Sequence, residues 1–324
     1  MLKAVFVEQT GDPSVLVYKN HEISKPSSGE VLISHTAIGL NFIDTYFRSG
    51  LYPAPSLPFI PGNEAAGIVE EVGAEVTNFK VGDRIAYAGP LGSYAHKRTI
   101  DASKIVKIPD SISDEIAASV MLKGMTARYL VKESYAIQSG DSVLYHAAAG
   151  GVGQIFTQWA KYLGATVIGT VGSDKKAEIA RSLGCDHVIN YQTEDFVQRV
   201  ADITNNVGVE AVYDSVGKDS FPTSLDCLRL RGTWISFGQS SGPLPDFNLS
   251  ILSQKGSLRC TRPSLFHYIE TPERLAENAR DLFEVIAAGH VKISSPTVYA
   301  LADAKQAHED LENRKTTGSV ILKP

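Results

Sequence analysis

The sequence predicts a two-domain α/β chain, a small β-barrel domain joined to a doubly wound parallel sheet with helices on both faces. Three observations carry this. At 324 residues the chain is long enough for two cores. Up to about residue 110, short β-rich runs are broken by turn residues, and from about residue 124 strands alternate with helix-length amphipathic segments.

In the first half, Met1 to Gln9 alternates like a strand, and further strands are read at Glu30 to Thr36, Gly67 to Val72, Arg84 to Tyr87 and Ile105 to Ile108. The proline-rich stretch from Tyr52 to Pro61 cannot enter a central sheet, because each proline removes a ladder donor; it reads as an ordered loop. In the second half the order is strand Ser142 to His146, helix Val152 to Leu163, strand Ala165 to Val171, helix Asp174 to Leu183. Gly164 and Gly184 suit the helix C-termini. Strand His187 to Asn190 follows, then a helix opened by Thr193, strand Val209 to Tyr213, a short helix around Phe221 to Leu228, and strand Thr233 to Phe237. After Gly256 come strand Ser257 to Thr261, a long helix from Pro272 to Ala288 and a closing strand Ser319 to Leu322, which return to the first domain. No internal repeat or low-complexity segment is present.

Composition narrows the function. The balance of 31 basic and 36 acidic residues, net charge −5, argues against electrostatic nucleic-acid binding. No apolar run approaches the roughly 18 residues of a membrane span, and the N-terminal alternation does not resemble a signal peptide, so cytoplasmic residence is expected. Cys185, Cys227 and Cys260 form neither a disulfide framework nor a metal pair; buried reduced thiols are expected.

The strongest motif is Val143-Leu144-Tyr145-His146-Ala147-Ala148-Ala149-Gly150-Gly151-Val152-Gly153, between a strand and a helix whose Ile155, Trp159, Tyr162 and Leu163 form one apolar face. That is the setting of a dinucleotide-binding fingerprint, with Ala148 at the first glycine position, Gly150 letting backbone approach a pyrophosphate and Gly153 permitting close helix packing. The helix N-terminus then faces the phosphates. The second strand ends in Gly169-Thr170-Val171-Gly172-Ser173-Asp174-Lys175-Lys176, where selection for NAD usually places a carboxylate. A small hydroxyl followed by lysines suits a 2′-phosphate, so NADPH is expected, with Asp174 read alternatively as N-terminal helix charge. None of the 13 tyrosines has a lysine four residues on, which removes the Tyr-x-x-x-Lys proton donor. The Cys185-Asp186-His187 trio is not expected to hold a metal.

Gly62-Asn63-Glu64-Ala65-Ala66-Gly67-Ile68-Val69, with Val72-Gly73 and Val81-Gly82-Asp83-Arg84, resembles the N-terminal signature of medium-chain dehydrogenases/reductases. In zinc alcohol dehydrogenases of that superfamily the positions of Asn63 and Asn41 are histidine and cysteine ligands. Here both are asparagine, residues 118 to 130 lack cysteine, and no four-cysteine lobe exists, so neither zinc is expected. Within the zinc-free branch, the stretch from Gly39 to Tyr52 is similar to NADPH:quinone oxidoreductases related to zeta-crystallin, as are Leu122-Lys123-Gly124-Met125-Thr126, Tyr213-Asp214-Ser215-Val216-Gly217 and Thr261-Arg262-Pro263-Ser264-Leu265.

The resemblance implies a GroES-like β-barrel catalytic domain over residues 1–123 and 262–324, a Rossmann NADPH-binding domain over 124–261, and a homodimer joined through the Rossmann sheet edge near Ser257 to Thr261. Carried over residue by residue, it implies Asn41 and Thr45 near the nicotinamide, Tyr129 at the cleft, and Gly151 and Val152 on the pyrophosphate. Gly172, Ser173, Lys176 and Tyr191 would hold the 2′-phosphate. Val216, Phe237, Gly238 and Ser240 would line the strand ends, Ser264, Leu265 and Phe266 the cleft, and Arg314 would reach the cofactor from the C-terminal segment. Phe237 also reads as a core aromatic, Arg314 as a surface charge and Tyr191 as an exposed loop residue.

The expected reaction is metal-free transfer of reducing equivalents from NADPH to a quinone in an interdomain cleft, where orientation matters more than metal polarisation. Asn41, Tyr46 and Tyr52 are the hydrogen-bond donors expected at the quinone oxygens, although either tyrosine also reads as a pocket-shaping residue. The alternatives are an NADPH-dependent enone or alkenal reductase, and a non-catalytic NADPH-binding protein of crystallin or RNA-binding type.

Overall fold

The computed structural model describes all residues 1–324. The chain divides into two compact units, residues 1–125, 269–287 and 293–324 against residues 126–268 and 288–292. The return to the first unit therefore comes later than the expected joint at 261/262. Tyr268 belongs to the second unit, where its ring stacks on Tyr129 at 4.3 Å and 7°.

The first unit contains β1 (Lys3–Val7), β2 (Leu16–Asn20), β3 (Glu30–Leu40), α1 (Phe42–Ser49), β4 (Glu64–Val72), β5 (Arg84–Ala88), β6 (Lys97–Asp101) and β7 (Val106–Lys107). Helix α2 (Asp114–Tyr129) runs across the joint at 125/126. Sequence periodicity misses α2 because a helix buried nearly all round, as from Ala117 to Val131, shows no amphipathic stripe. Strand β3 exceeds its expected span because Ala37 to Gly39 continue pairing with Glu64 to Ala66 and Leu40 pairs with Val320. The stretch from Tyr52 to Pro61 forms no strand; its Phe59 only exchanges two backbone bonds with Val7.

The second unit contains β8 (Ser142–His146), α3 (Gly151–Tyr162), β9 (Thr166–Val171), α4 (Asp174–Ser182), β10 (His187–Asn190), α5 (Phe196–Ile203), β11 (Val209–Asp214), β12 (Leu228–Ser236), α6 (Ser250–Gln254), β13 (Arg259–Thr261) and α7 (Leu265–Tyr268). All neighbouring strands are parallel, in the order β10-β9-β8-β11-β12-β13. This is the doubly wound dinucleotide-binding order, whose direction reverses between β8 and β11. Leu144, Ile168, Ile189, Val212 and Trp234 build one core of this sheet.

Several expectations need correction. Thr193 does not open α5: its hydroxyl donates to Asn190 O, and Asp195 caps the helix by accepting from Val197 and Gln198 N–H. The segment expected as a short helix at Phe221 to Leu228 is a 3₁₀ turn, Thr223–Cys227, and β12 begins earlier than expected, at Leu228. Ile155 and Trp159 are buried on α3, whereas Tyr162 lies at the rim, half exposed and stacked on His290 at 3.8 Å. Cys185 and Cys227 are buried as expected, but Cys260, on the terminal strand of the sheet, is exposed.

The chain then re-enters the first unit with α8 (Pro272–Ala287), β14 (Thr297–Ala300), α9 (Ala304–Glu312) and β15 (Val320–Lys323). Strand β15 pairs antiparallel with β3, giving the sheet order β14-β15-β3-β4-β5-β7 with β6 also on β3. Leu301, Ala304, Val320 and Leu322 pack with Val31, Ile33, Ile38 and Tyr87 in one core. Burying these C-terminal apolar groups is what draws the last segment back. No helix is long and apolar enough to cross a membrane.

Candidate cofactor and substrate site

In the second unit, the predicted cofactor residues gather at the C-terminal ends of the parallel strands, where doubly wound sheets bind ligands. Strand β8 turns sharply at Ala147, which adopts a left-handed φ of 61°. Gly150 caps α3, and the first intrahelical bond runs from Gln154 N–H to Gly150 O at 2.9 Å. The amides of Gly151, Val152 and Gly153 therefore precede the helical ladder and form a ready anion site. A Cβ on Gly153 would lie 2.6 Å from Ala147 O and 2.7 Å from Ala148 O, so only glycine permits this approach of helix and loop. Behind it, Ala148 packs where a Cβ on Gly169 would meet its methyl at 2.6 Å.

At the end of β9, Ser173 caps α4 by accepting from Lys176 N–H at 3.4 Å, which leaves its hydroxyl proton for another partner. The Tyr191 hydroxyl lies 2.5 Å from where a Gly172 Cβ would stand. Gly172, Ser173, Lys176 and Tyr191 are thus brought together. Asp174 accepts from Asn190 Nδ2 at 2.9 Å and Glu194 from Asn190 N–H at 3.1 Å, so both nearby acids are turned toward the third strand.

The ends of β11 and β12 converge likewise. Buried Asp214 accepts from Val216 N–H at 2.8 Å, Ser240 N–H donates to Ser215 O at 3.1 Å, and a Cβ on Gly238 would strike Ser215 O at 2.7 Å. Val216, Phe237, Gly238 and Ser240 share this corner, with Phe237 half-buried 5.9 Å from the Tyr145 ring. Ser264, Leu265 and Phe266 follow β13, with Leu265 buried and its neighbours half-buried. Tyr129 is almost wholly buried, its ring stacked on Tyr268.

In the first unit, Asn41 caps α1. Its Nδ2 donates to the buried Glu64 Oε2 at 2.7 Å, and Lys123 Nζ and Leu122 N–H also donate to that carboxylate. Thr45 donates to Phe42 O at 2.7 Å. Tyr46 and Tyr52, six residues apart, are half-buried and in edge contact at 5.2 Å, with Tyr52 N–H donating to Tyr46 O at 3.0 Å. Arg314 follows α9, exposed and with φ 59°. Sequence reasoning missed the buried groups behind α1, namely Asp44, Tyr94, Arg48 and His308. Burial pushes Asp44 up to about 6, against three hydrogen bonds that favour its charged form. Burial, reinforced by Arg48, holds His308 down at about 3.

Over 325 aligned residues covering all of both chains, the protein is 50% identical to the quinone oxidoreductase of Pseudomonas aeruginosa. The chain belongs to the quinone oxidoreductase family. Family models for the alcohol dehydrogenase GroES-like domain and for zinc-binding dehydrogenase match residues 27–110 and 151–277, the superfamily framework of both units. The crystal structure of Escherichia coli quinone oxidoreductase complexed with NADPH superposes with a TM-score of 0.98 at 49% identity, covering 99% of this chain and 100% of that one. A 2-haloacrylate reductase from Burkholderia sp is 43% identical over 100% of this chain and 99% of its own. No cluster of three or more His, Cys, Asp or Glu side chains suited to a metal ion occurs in this quinone oxidoreductase relative.

Proposed function

We propose that this protein is an NADPH:quinone oxidoreductase that works without catalytic zinc. The observation that carries the reading is the shape of the cofactor corner: Gly153 lets the start of α3 close against the Ala147–Ala148 turn, and Gly172 lets the Tyr191 hydroxyl stand beside Ser173 and Lys176 at the start of α4. Those residues fit NADPH, with the amides of Gly151 and Val152 toward the pyrophosphate and the hydroxyls and ammonium toward the 2′-phosphate. The acids of that corner are both engaged by Asn190, Asp174 by its side-chain amide and Glu194 by its backbone N–H, which favours NADPH over NADH. Bound NADPH supplies the hydride.

The first unit's residues hold and orient the acceptor. Asn41, with its amide set against Glu64, and the Tyr46–Tyr52 pair are the polar groups assigned to the quinone oxygens, and Thr45 is assigned to the nicotinamide end. A quinone accepts hydride readily, so positioned donors suffice. The zinc-free reading is supported by the two asparagines at the ligand positions, whose amides already donate, Asn41 to Glu64 and Asn63 to Asp44 at 2.9 Å. A homodimer through β13 agrees with its place as the terminal strand of the parallel sheet, and residence in the cytoplasm with the lack of a membrane-spanning helix.

The deciding experiment follows reduced-cofactor absorbance with 1,4-benzoquinone as acceptor. Oxidation of NADPH well ahead of NADH is expected; binding of NADPH without oxidation would refute the reaction. The second reading, reduction of an activated carbon–carbon double bond, is favoured by the full-length likeness to the 2-haloacrylate reductase. Faster turnover of an enone or 2-haloacrylate than of benzoquinone would establish it.

A further inference from the structure

The first unit buries a polar chain that the reaction, as proposed, leaves unused. Asp44, wholly buried in the first turn of α1, receives three donors: Asn41 N–H at 2.9 Å, Asn63 Nδ2 at 2.9 Å and the Tyr94 hydroxyl at 3.2 Å. The chain continues from the Tyr94 oxygen to His308 Nε2 at 3.0 Å, and Arg48 donates to His308 Nδ1 at 3.2 Å. Because Arg48 can only donate, Nδ1 is the acceptor and Nε2 carries the proton, so every bond points toward Asp44. Arg48 also grips Glu312 of α9 with two bonds of 2.8 Å.

Helix α1 is therefore anchored at both ends, through Asp44 in its first turn and Arg48 in its last. A buried carboxylate is tolerated only where its lone pairs are filled, and a filled network admits one arrangement of its members. Asn41 and Tyr46 flank Asp44 on this helix, and Tyr46 carries Tyr52 through the ring contact.

We infer that Asp44 is a positioning residue of the quinone-reducing site: by holding the start of α1 to Asn63 and Tyr94, it sets where Asn41 and Tyr46 stand. This rests on the reaction proposed above. Asp44 does not touch the acceptor and acts through Asn41.

The test is a cycle of Asp44→Asn, Asn63→Asp and the double variant. The first substitution sets amide against amide and the second carboxylate against carboxylate. Together they exchange the partners, so the bond re-forms with its donor on the other side. Each single variant is expected to lose about tenfold to a hundredfold in kcat for benzoquinone while NADPH affinity holds, since a small misplacement of reacting groups is that costly. The double variant is expected within about threefold of wild type. Wild-type kcat in Asp44→Asn, or a double variant as slow as the combined single losses, would overturn the inference. Should the single variants fail to fold, recovery of an active double variant is the expected sign of pairing, and its failure refutes it. Wild-type turnover in the same series tests the reaction separately. Crystals of the Asp44→Asn variant, or of the double variant if the single does not fold, decide the role of Asp44 without turnover. The Asn41 amide should leave its 2.7 Å contact with Glu64 in the single variant and regain it in the double; an unmoved single or an unrestored double refutes the role.

Discussion

Replacing Lys176 with alanine should erase most of the preference for NADPH while sparing NADH. Lys176 is half-buried in the first turn of α4, beside the Ser173 hydroxyl and the Gly172–Tyr191 contact. A hydrogen bond to a charged group contributes about 1.5–3 kcal/mol, and about 1.4 kcal/mol is tenfold in affinity, so its loss predicts a rise in KM of roughly 10- to 150-fold. Partial exposure admits screening by salt and moves the expected value toward the lower end, about 10- to 30-fold. Lys176→Ala is preferred to Ser173→Ala because Ser173 also caps α4, and losing a cap costs about 1 kcal/mol of stability by itself. The assay is initial rates with 1,4-benzoquinone over a range of each cofactor, at low and high salt. NADH has no 2′-phosphate, so its KM should stay within about twofold, and the NADPH effect should shrink at high salt. An unchanged KM for NADPH, or equal losses with both cofactors, would refute the assignment of this corner to the phosphate.

Three further outcomes are expected. Gly153→Ala would push a methyl to 2.6 Å from Ala147 O against backbone that cannot swing aside; overpacking of about 1–3 kcal/mol should lower Tm in a thermal scan and weaken NADPH binding tenfold or more by fluorescence titration. Arg48→Ala would leave buried His308 Nδ1 without its donor and Glu312, 36% exposed, without its ion pair, with a loss of about 1–3 kcal/mol read by urea unfolding. Stability should fall from pH 7 to pH 5, read by the same method. His35 and His308 are held by burial at about 3, so the unfolded chain gains protons on them below its ordinary 6.5 and native stability is lost as pH falls. Asp44, raised by burial to about 6, acts oppositely, since the folded state takes its proton first and is relieved on acidification. At pH 5 the two histidines cost about 2 kcal/mol each and Asp44 returns about 1, a net loss of about 3 kcal/mol; a rise in stability on acidification would contradict these environments.

The parallel-sheet unit was legible because its strands and helices announce themselves by period and by the glycines that end them, as Gly164 and Gly184 do with φ of 90° and 93°. Its glycine-rich turns were legible for a related reason: Gly150, Gly153 and Gly172 sit where a neighbouring group comes too close for a Cβ, and glycine is a local signal of that need. Helix α2 was not legible, because burial on all sides removes the amphipathic stripe. The stack of Tyr129 on Tyr268, far along the chain, was not legible either, because the two meet only through the tertiary fold.

By itself, then, the sequence determined the two-domain α/β class, the succession of strands and helices in its second half and the glycine-rich turn between β8 and α3, all properties carried by near neighbours in the chain. Only the tertiary structure decided that Tyr46 packs on Tyr52, that Asp174 is spent on Asn190, and that Asp44 collects Asn41, Asn63 and Tyr94. It alone joined Arg48 to Glu312, partners 264 residues apart. The physical reason is that a hydrogen bond needs its atoms within about 3 Å, and for residues distant in sequence that proximity is set by burying apolar surface around them, which no local pattern of polar residues records.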